Sequence, residues 1–250
     1  MKKILLMGNP NVGKSAVFSR LTGVHVIASN YPGTTVEFTE GYMKKGEDKF
    51  NIIDVPGTYT MEPTCEAEEV AVRMLEEGAD CIINVADATN LERNLSLTLE
   101  LLERDIPVIL ALNMWDETRH RGITIDVEKL EEMLHNPVVP IVGISGQGIK
   151  ELTRRLPEAA SPDTENMVLE HRWERIGKIV SRVQTIRHSH HTFLQSLEEL
   201  SIRPVSGLLI AALVICASFL IVRFLGEAII DNVMDPVFTG LYLPLVSRIS

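Results

Sequence analysis

The sequence predicts an α/β fold, a mostly parallel sheet flanked by helices, followed by a small helical region and a transmembrane helix. Three observations predict it. Short apolar runs alternate with helix-patterned stretches from Ile4 to Leu156, a glycine-rich turn joins the first run to the first helical stretch, and the charge-free run Val205 to Val222 follows Arg203.

The apolar runs of strand length are Ile4 to Met7, Phe50 to Ile53, Cys81 to Val85, Val108 to Leu112 and Val138 to Val142. They are continuous rather than alternating, which implies burial on both faces of a parallel sheet. Between them, helices are predicted at Ser15 to Leu21, Glu66 to Glu77, Leu91 to Arg104, Val127 to Leu134 and Ile149 to Leu156, where leucine or valine recurs at helical spacing. Thr34 to Tyr42 alternates, so it is expected to be an edge strand antiparallel to Phe50 to Ile53, with Lys44 to Asp48 as the turn. Pro157 to Glu165 has the proline-rich, acidic composition of a linker. Beyond it, Trp173, Ile176, Val180 and Val183, then Phe193, Leu197 and Leu200, predict two amphipathic helices. Val205 to Val222, about 18 residues, approaches the minimum for crossing a bilayer. Leu225 to Ile249, with Glu227, Asp231, Asp235 and two prolines, is a poor second span. The expected division is residues 1–157, a nucleotide-binding domain, 158–204, linker and helical region, and 205–250, transmembrane helix and membrane region.

Composition narrows the function classes. A mean hydropathy of +0.11 alongside 23% charged residues fits a water-soluble portion joined to a much more apolar one. The net charge of −10 argues against a protein that grips nucleic acid through a basic face. Cys65, Cys81 and Cys216 form no C-x-x-C pair, which fits a reducing compartment and supplies no zinc framework. His188, His190 and His191 lie in a polar stretch without neighbouring ligands at metal spacing, so a solvated loop is expected there. Trp115 and Trp173 are expected to pack.

The chemistry is concentrated in five segments. Gly8-Asn9-Pro10-Asn11-Val12-Gly13-Lys14-Ser15 matches the P-loop pattern G-x-x-x-x-G-K-[ST] between a strand and a helix. Its glycines let amides turn toward phosphates, Lys14 offers charge to the β and γ phosphates, and the Ser15 hydroxyl can ligate Mg2+. Asp54-Val55-Pro56-Gly57 puts a carboxylate at a strand end, where it can hold Mg2+ through water, and Gly57 can meet a γ-phosphate by its amide. Asn30-Tyr31-Pro32-Gly33-Thr34-Thr35 suits a first switch, with Thr35 completing the Mg2+ shell, and a second switch is expected from Val55 to about Glu68. Asn113-Met114-Trp115-Asp116 matches the guanine motif N-K-x-D with methionine for lysine. Asp116 there can accept hydrogen bonds from guanine's ring N–H and exocyclic amine, a pair that adenine lacks. Ser145-Gly146-Gln147-Gly148 is expected to bring amides to the guanine oxygen.

The fold is therefore expected to be a P-loop GTPase fold with GTP and GDP as ligands. The candidate nucleotide contacts are Gly8, Asn9, Asn11, Val12, Gly13, Lys14, Ser15, Ala16, Gly33, Thr34, Thr35, Asp54, Gly57, Asn113, Met114, Asp116, Ser145 and Gly146. Of these, Asn11, Lys14, Thr35 and Gly57 are the candidate catalytic groups. Thr58 stands where many GTPases carry glutamine, so water is not oriented by an amide and turnover is slow or assisted differently. A ribosome- or RNA-associated GTPase and a switch that senses nucleotide without turnover remain alternatives, the former disfavoured by the acidic balance.

The same residues resemble one family closely, the ferrous iron transport protein B (FeoB) family. The resemblance rests on Gly8 to Ser15, Asn30-Tyr31-Pro32-Gly33-Thr34-Thr35-Val36-Glu37, Asp54-Val55-Pro56-Gly57-Thr58-Tyr59, Asn113 to Asp116 and the membrane entry Arg203-Pro204-Val205-Ser206-Gly207-Leu208. It implies a cytoplasmic GTPase domain ahead of a polytopic domain in the inner membrane, a role in Fe2+ uptake, and association with that membrane domain and possible homo-oligomers. It also implies that Asn11 helps bind an activating K+ in place of an arginine finger. The region from Pro157 to Ile202 is shorter than the helical domain usual in the family, and Val205 to Val222 is the one convincing span.

Overall fold

The computed structural model describes residues 1–23, 26–46, 48–159, 172–186, 204–230 and 232. The chain divides into two compact units, Met1–Ser189 and His190–Ser250.

In the first unit, β1 (Lys2–Gly8), β4 (Asp48–Asp54), β5 (Cys81–Asp87), β6 (Val108–Asn113) and β8 (Val138–Pro140) run parallel, and β2 (Val26–Asn30) and β3 (Glu37–Lys45) extend the sheet antiparallel. The order is β2-β3-β4-β1-β5-β6-β8. Successive side chains of a strand leave opposite faces, which gives two cores. Ile4 and Leu6 of β1 join α1 (Lys14–Thr22) and α6 (Ile149–Arg155) through Val17, Phe18, Ile149 and Leu152. Leu5 and Met7 join α2 (Glu66–Glu76), α3 (Leu91–Leu102) and α5 (Val127–Leu134) through Met74, Leu95 and Leu130. Both faces are thus covered, which is why the central strands read as unbroken apolar runs. Asn84 of β5 is a buried polar exception, and its amide donates to the Thr98 hydroxyl at 2.7 Å.

The edge of the sheet differs from the expectation. Strand β3 does pair antiparallel with β4, Gly41 opposite Ile52, but it is interior because β2 lies outside it. All five residues of β2 are exposed, so no burial pattern marks it in the sequence. Three further elements lie outside the predicted set: α4 (Trp115–His120), and β7 (Ile123–Ile125) with its antiparallel partner β9 (Gln184–Ile186).

Helix α7 (Arg172–Val183) packs on the same core, burying Ile176, Ile179 and Val183. Ile179 completes an i, i+3, i+7 stripe, which leaves Trp173 at its margin and 69% exposed, against the expectation that it packs. Trp115 does pack against the core. Burial pushes the Cys81 thiol up to about 12, as suits an inert packing cysteine, whereas Cys65 is exposed. The second predicted amphipathic helix and the three histidines from His188 to His191 lie outside the described residues.

In the second unit, α8 (Pro204–Ile229) is the one helix among the described residues long and apolar enough to cross a membrane, and its apolar stretch is not buried within the protein. The helix continues past the uncharged run through Arg223 and Glu227, whose side chains pair at 2.9 Å one turn apart. Pairing limits the cost of carrying two charges near a bilayer.

Candidate functional site

The P-loop, the Asp54 loop and the Asn113 loop leave the C-terminal ends of the parallel strands β1, β4 and β6, the edge at which ligands of open α/β sheets bind. The P-loop backbone needs positive φ at Asn11 (65°) and Gly13 (82°). A Cβ at Gly13 would lie 2.3 Å from Asn113 Nδ2, so only glycine allows this approach.

On one side of the loop three side chains converge. The Lys14 ammonium donates to Asp54 Oδ1 at 2.7 Å and to the Val55 carbonyl at 2.5 Å, and the Ser15 hydroxyl donates to Asp54 Oδ2 at 3.4 Å. The Lys14–Asp54 pair is largely shielded, with side chains 11% and 13% exposed. An ammonium has three N–H donors, so two of them are committed here and one is left. Hydroxyl and carboxylate oxygens side by side are the hard donor set that suits Mg2+, and Ser15 and Asp54 would hold it. Gly57 lies against the P-loop, because a Cβ there would come 3.1 Å from both N and Cα of Pro10.

On the other side, Asn113 acts as a tie. Its buried Nδ2 donates to the Val12 carbonyl at 2.8 Å and its Oδ1 accepts the Gly143 amide at 2.8 Å, which fastens the P-loop to the loop after β8. Met114 takes a left-handed backbone (φ 59°) between β6 and α4, and Asp116 stands exposed in the first turn of α4. The Trp115 amide donates to the Ile141 carbonyl, fixing that turn.

The sequence model of the family described as ferrous iron transport protein B matches residues 2–156. The chain belongs to the FeoB family. It is 47% identical over 153 residues to the Fe(2+) transport protein A/Fe(2+) transporter FeoB fusion protein of Porphyromonas gingivalis, covering 60% of this chain and 18% of that one. The cytosolic domain of L. pneumophila FeoB superposes with a TM-score of 0.68 at 33% identity, covering 73% of this chain and 99% of that domain. The GMPPNP form of the T. maritima FeoB cytosolic domain superposes with a TM-score of 0.63 at 40% identity, covering 68% of each chain. The chain spans about a fifth of the length of the curated FeoB relatives it matches, 18% and 23% in two of them.

In this FeoB chain not every expected site residue joins the cluster. Thr35 is exposed, and among the described residues no hydrogen bond links it to Ser15 or Asp54. Thr34 is occupied locally, its hydroxyl donating to the Tyr31 carbonyl at 3.0 Å and accepting the Val36 amide, which shapes the loop around Pro32 and Gly33. The Gly146 amide is already given to the Val142 carbonyl at 2.8 Å. The loop residue bonded to Asn113 is instead Gly143, which the sequence does not mark because it has no polar side chain. Its signal is positional, since it lies three residues beyond the end of β8.

The stretch after Gly57 is pinned to the body of the domain. Thr58 is fully buried, its amide donating to the Gly8 carbonyl and its hydroxyl to the Thr60 carbonyl at 2.6 Å. Arg93 of α3 sits 4.6 Å above the Tyr59 ring. The buried Glu68 accepts from the Thr64 hydroxyl at 2.7 Å and from the Thr64 and Tyr59 amides, and these bonds, that hydroxyl first, hold its carboxyl below the usual range. Glu100 of α3 accepts the Met61 amide at 2.5 Å and pairs with Arg172 of α7 at 2.6 Å. Burial raises its pKa, opposed by the Met61 amide and the Arg172 charge.

Proposed function

We propose that this chain carries the guanine-nucleotide switch of a membrane ferrous iron transporter, hydrolysing GTP to GDP and phosphate and regulating Fe2+ uptake by the membrane portion to which α8 leads. The carrying observation is the convergence of Lys14 and Ser15 on Asp54, with Asn113 tying the same P-loop to the loop beside Asp116. Relatives solved with GDP and with GMPPNP support the nucleotide reading.

In this reading the remaining Lys14 N–H and the P-loop amides take the phosphates. Ser15 and Asp54 would hold Mg2+, which would supply positive charge at the phosphate oxygens, and Thr35 would join them on closure of the first switch. The Gly57 amide reports the γ-phosphate, and Asp116 reads guanine. Thr58 is buried and gives its hydroxyl proton to the Thr60 carbonyl, so it does not stand in for a water-orienting glutamine. The exposed Asn11, held at positive φ in the P-loop, has the oxygen chemistry to hold K+, which would supply the positive charge that an arginine finger brings elsewhere. The domain lies on the cytoplasmic side of the inner membrane, with α8 as its tether.

Phosphate release from GTP at matched ionic strength is expected to be slow in sodium and faster in potassium. Asn11→Ala is expected to remove the potassium effect while GDP affinity, titrated separately, stays within a few-fold. Equal rates in both salts for the wild type would overturn the potassium assignment.

A further inference from the structure

Arg20, in the last turn of α1, belongs to none of the motifs above, yet it holds the base-side loop. Its Nε donates to the Gly143 carbonyl at 3.3 Å and its Nη2 to the Ile144 carbonyl. Its stem lies along Gly146, since a Cβ there would be 3.5 Å from Arg20 Cδ. The loop is also seated on α1 directly, because a Cβ on Gly143 would lie 3.2 Å from Val17 Cγ2 and 3.4 Å from Ala16 Cβ. One helix therefore carries the P-loop at its start and the base-side loop along its flank.

Peptide geometry turns this contact into a direction. No peptide bond in the described chain is cis. In a trans peptide the C=O and N–H of one unit point opposite ways. The Gly143 carbonyl shares its unit with the Ile144 N–H, and the Ile144 carbonyl shares its unit with the Ser145 N–H. Drawing both carbonyls to the guanidinium sends both N–H groups the other way, as a pair of adjacent donors. No hydrogen bond within the described chain takes either of them, whereas the Gly143, Gly146 and Gln147 amides are all used. A planar guanidinium can hold two neighbouring carbonyls at once, which an ammonium does less well.

We propose that Arg20 is a positioning residue for base recognition, aiming the Ile144 and Ser145 amides at the 6-oxygen of guanine. The inference rests on the nucleotide reading given above. Two fixed N–H groups can donate to a purine carbonyl and oppose the 6-amine of adenine, so Arg20 contributes to selectivity without touching the base.

The test compares affinities of wild type, Arg20→Ala and Arg20→Lys for GDP, inosine diphosphate and the 2-aminopurine riboside diphosphate, which lacks the 6-oxygen. Arg20→Ala is expected to weaken GDP by about tenfold, the scale of one good hydrogen bond, and to narrow the GDP to 2-aminopurine gap by a similar factor. The GDP to inosine ratio, which reports the 2-amine at Asp116, is expected to stay within about twofold, and Arg20→Lys to recover part of the loss. A purely structural role would weaken all three nucleotides alike, and that result, or an unchanged gap in both variants, would overturn the inference alone. A wild-type chain that binds none of the three would overturn the nucleotide reading and this inference with it.

Discussion

Lys14→Ala is expected to lower the affinity for GTP and GDP by about a hundredfold or more. A hydrogen bond to a charged group is worth about 1.5–3 kcal/mol, and the substitution removes both the one Lys14 N–H left for the phosphates and the ammonium charge that offsets theirs. The same substitution leaves Asp54 without its 2.7 Å partner, at a cost of about 1–3 kcal/mol, because the pair is shielded but not fully buried. The fold withstands that loss, since its two cores contain neither side chain. Nucleotide titration and thermal unfolding of the same preparation separate the two effects. A folded variant that keeps GDP affinity within threefold of wild type would remove the P-loop assignment.

Asp116→Asn is expected to invert base preference. The carboxylate is proposed to accept from two guanine N–H groups, and an amide can accept from only one while presenting donors to the other, which costs about 2–4 kcal/mol, a loss of about thirty- to a thousandfold for GTP. Xanthine carries a carbonyl where guanine has the exocyclic amine, and an amide N–H suits that carbonyl. Affinity for xanthosine triphosphate is therefore expected to rise as affinity for GTP falls. Asp116 is exposed in the first turn of α4, and its replacement disturbs no buried partner, so the fold is unaffected. Competition between the two nucleotides for wild type and variant is the check, and retained preference for GTP would place guanine recognition elsewhere.

The elements legible in the sequence are those whose side chains carry a burial pattern. Helix α5 runs from Val127 to Leu134 as its spacing indicates, and β5 and β6 begin at Cys81 and Val108, where their apolar runs begin. Strand β2 was illegible because all its residues face solvent, and β7 because three residues are too few to show a period. The phosphate side was legible because its chemistry lies in side chains at fixed spacing, and Lys14, Ser15 and Asp54 do meet. The base side was half legible. Asp116 announces itself, but the loop after β8 is proposed to act through the backbone amides of Ile144 and Ser145, and a backbone donor leaves no mark on residue type. Arg20 is invisible for a related reason, since an arginine in the last turn of a helix is ordinarily a solvated charge. The links from Glu100 to Met61 and to Arg172 join residues 39 and 72 positions apart, a separation that no local pattern reveals.

The central claim is that this site is a guanine-nucleotide switch, and the most direct measurement is equilibrium binding of GDP and ADP to the purified chain in magnesium, with phosphate release from GTP and ATP followed in the same buffer. The account predicts that GDP binds at least a hundredfold more tightly than ADP, since at least two hydrogen bonds discriminate the bases at about 1.4 kcal/mol or more each. It also predicts that GTP alone is turned over and that Lys14→Ala abolishes both activities. Equal affinity for GDP and ADP, or turnover of ATP at the rate of GTP, would contradict it.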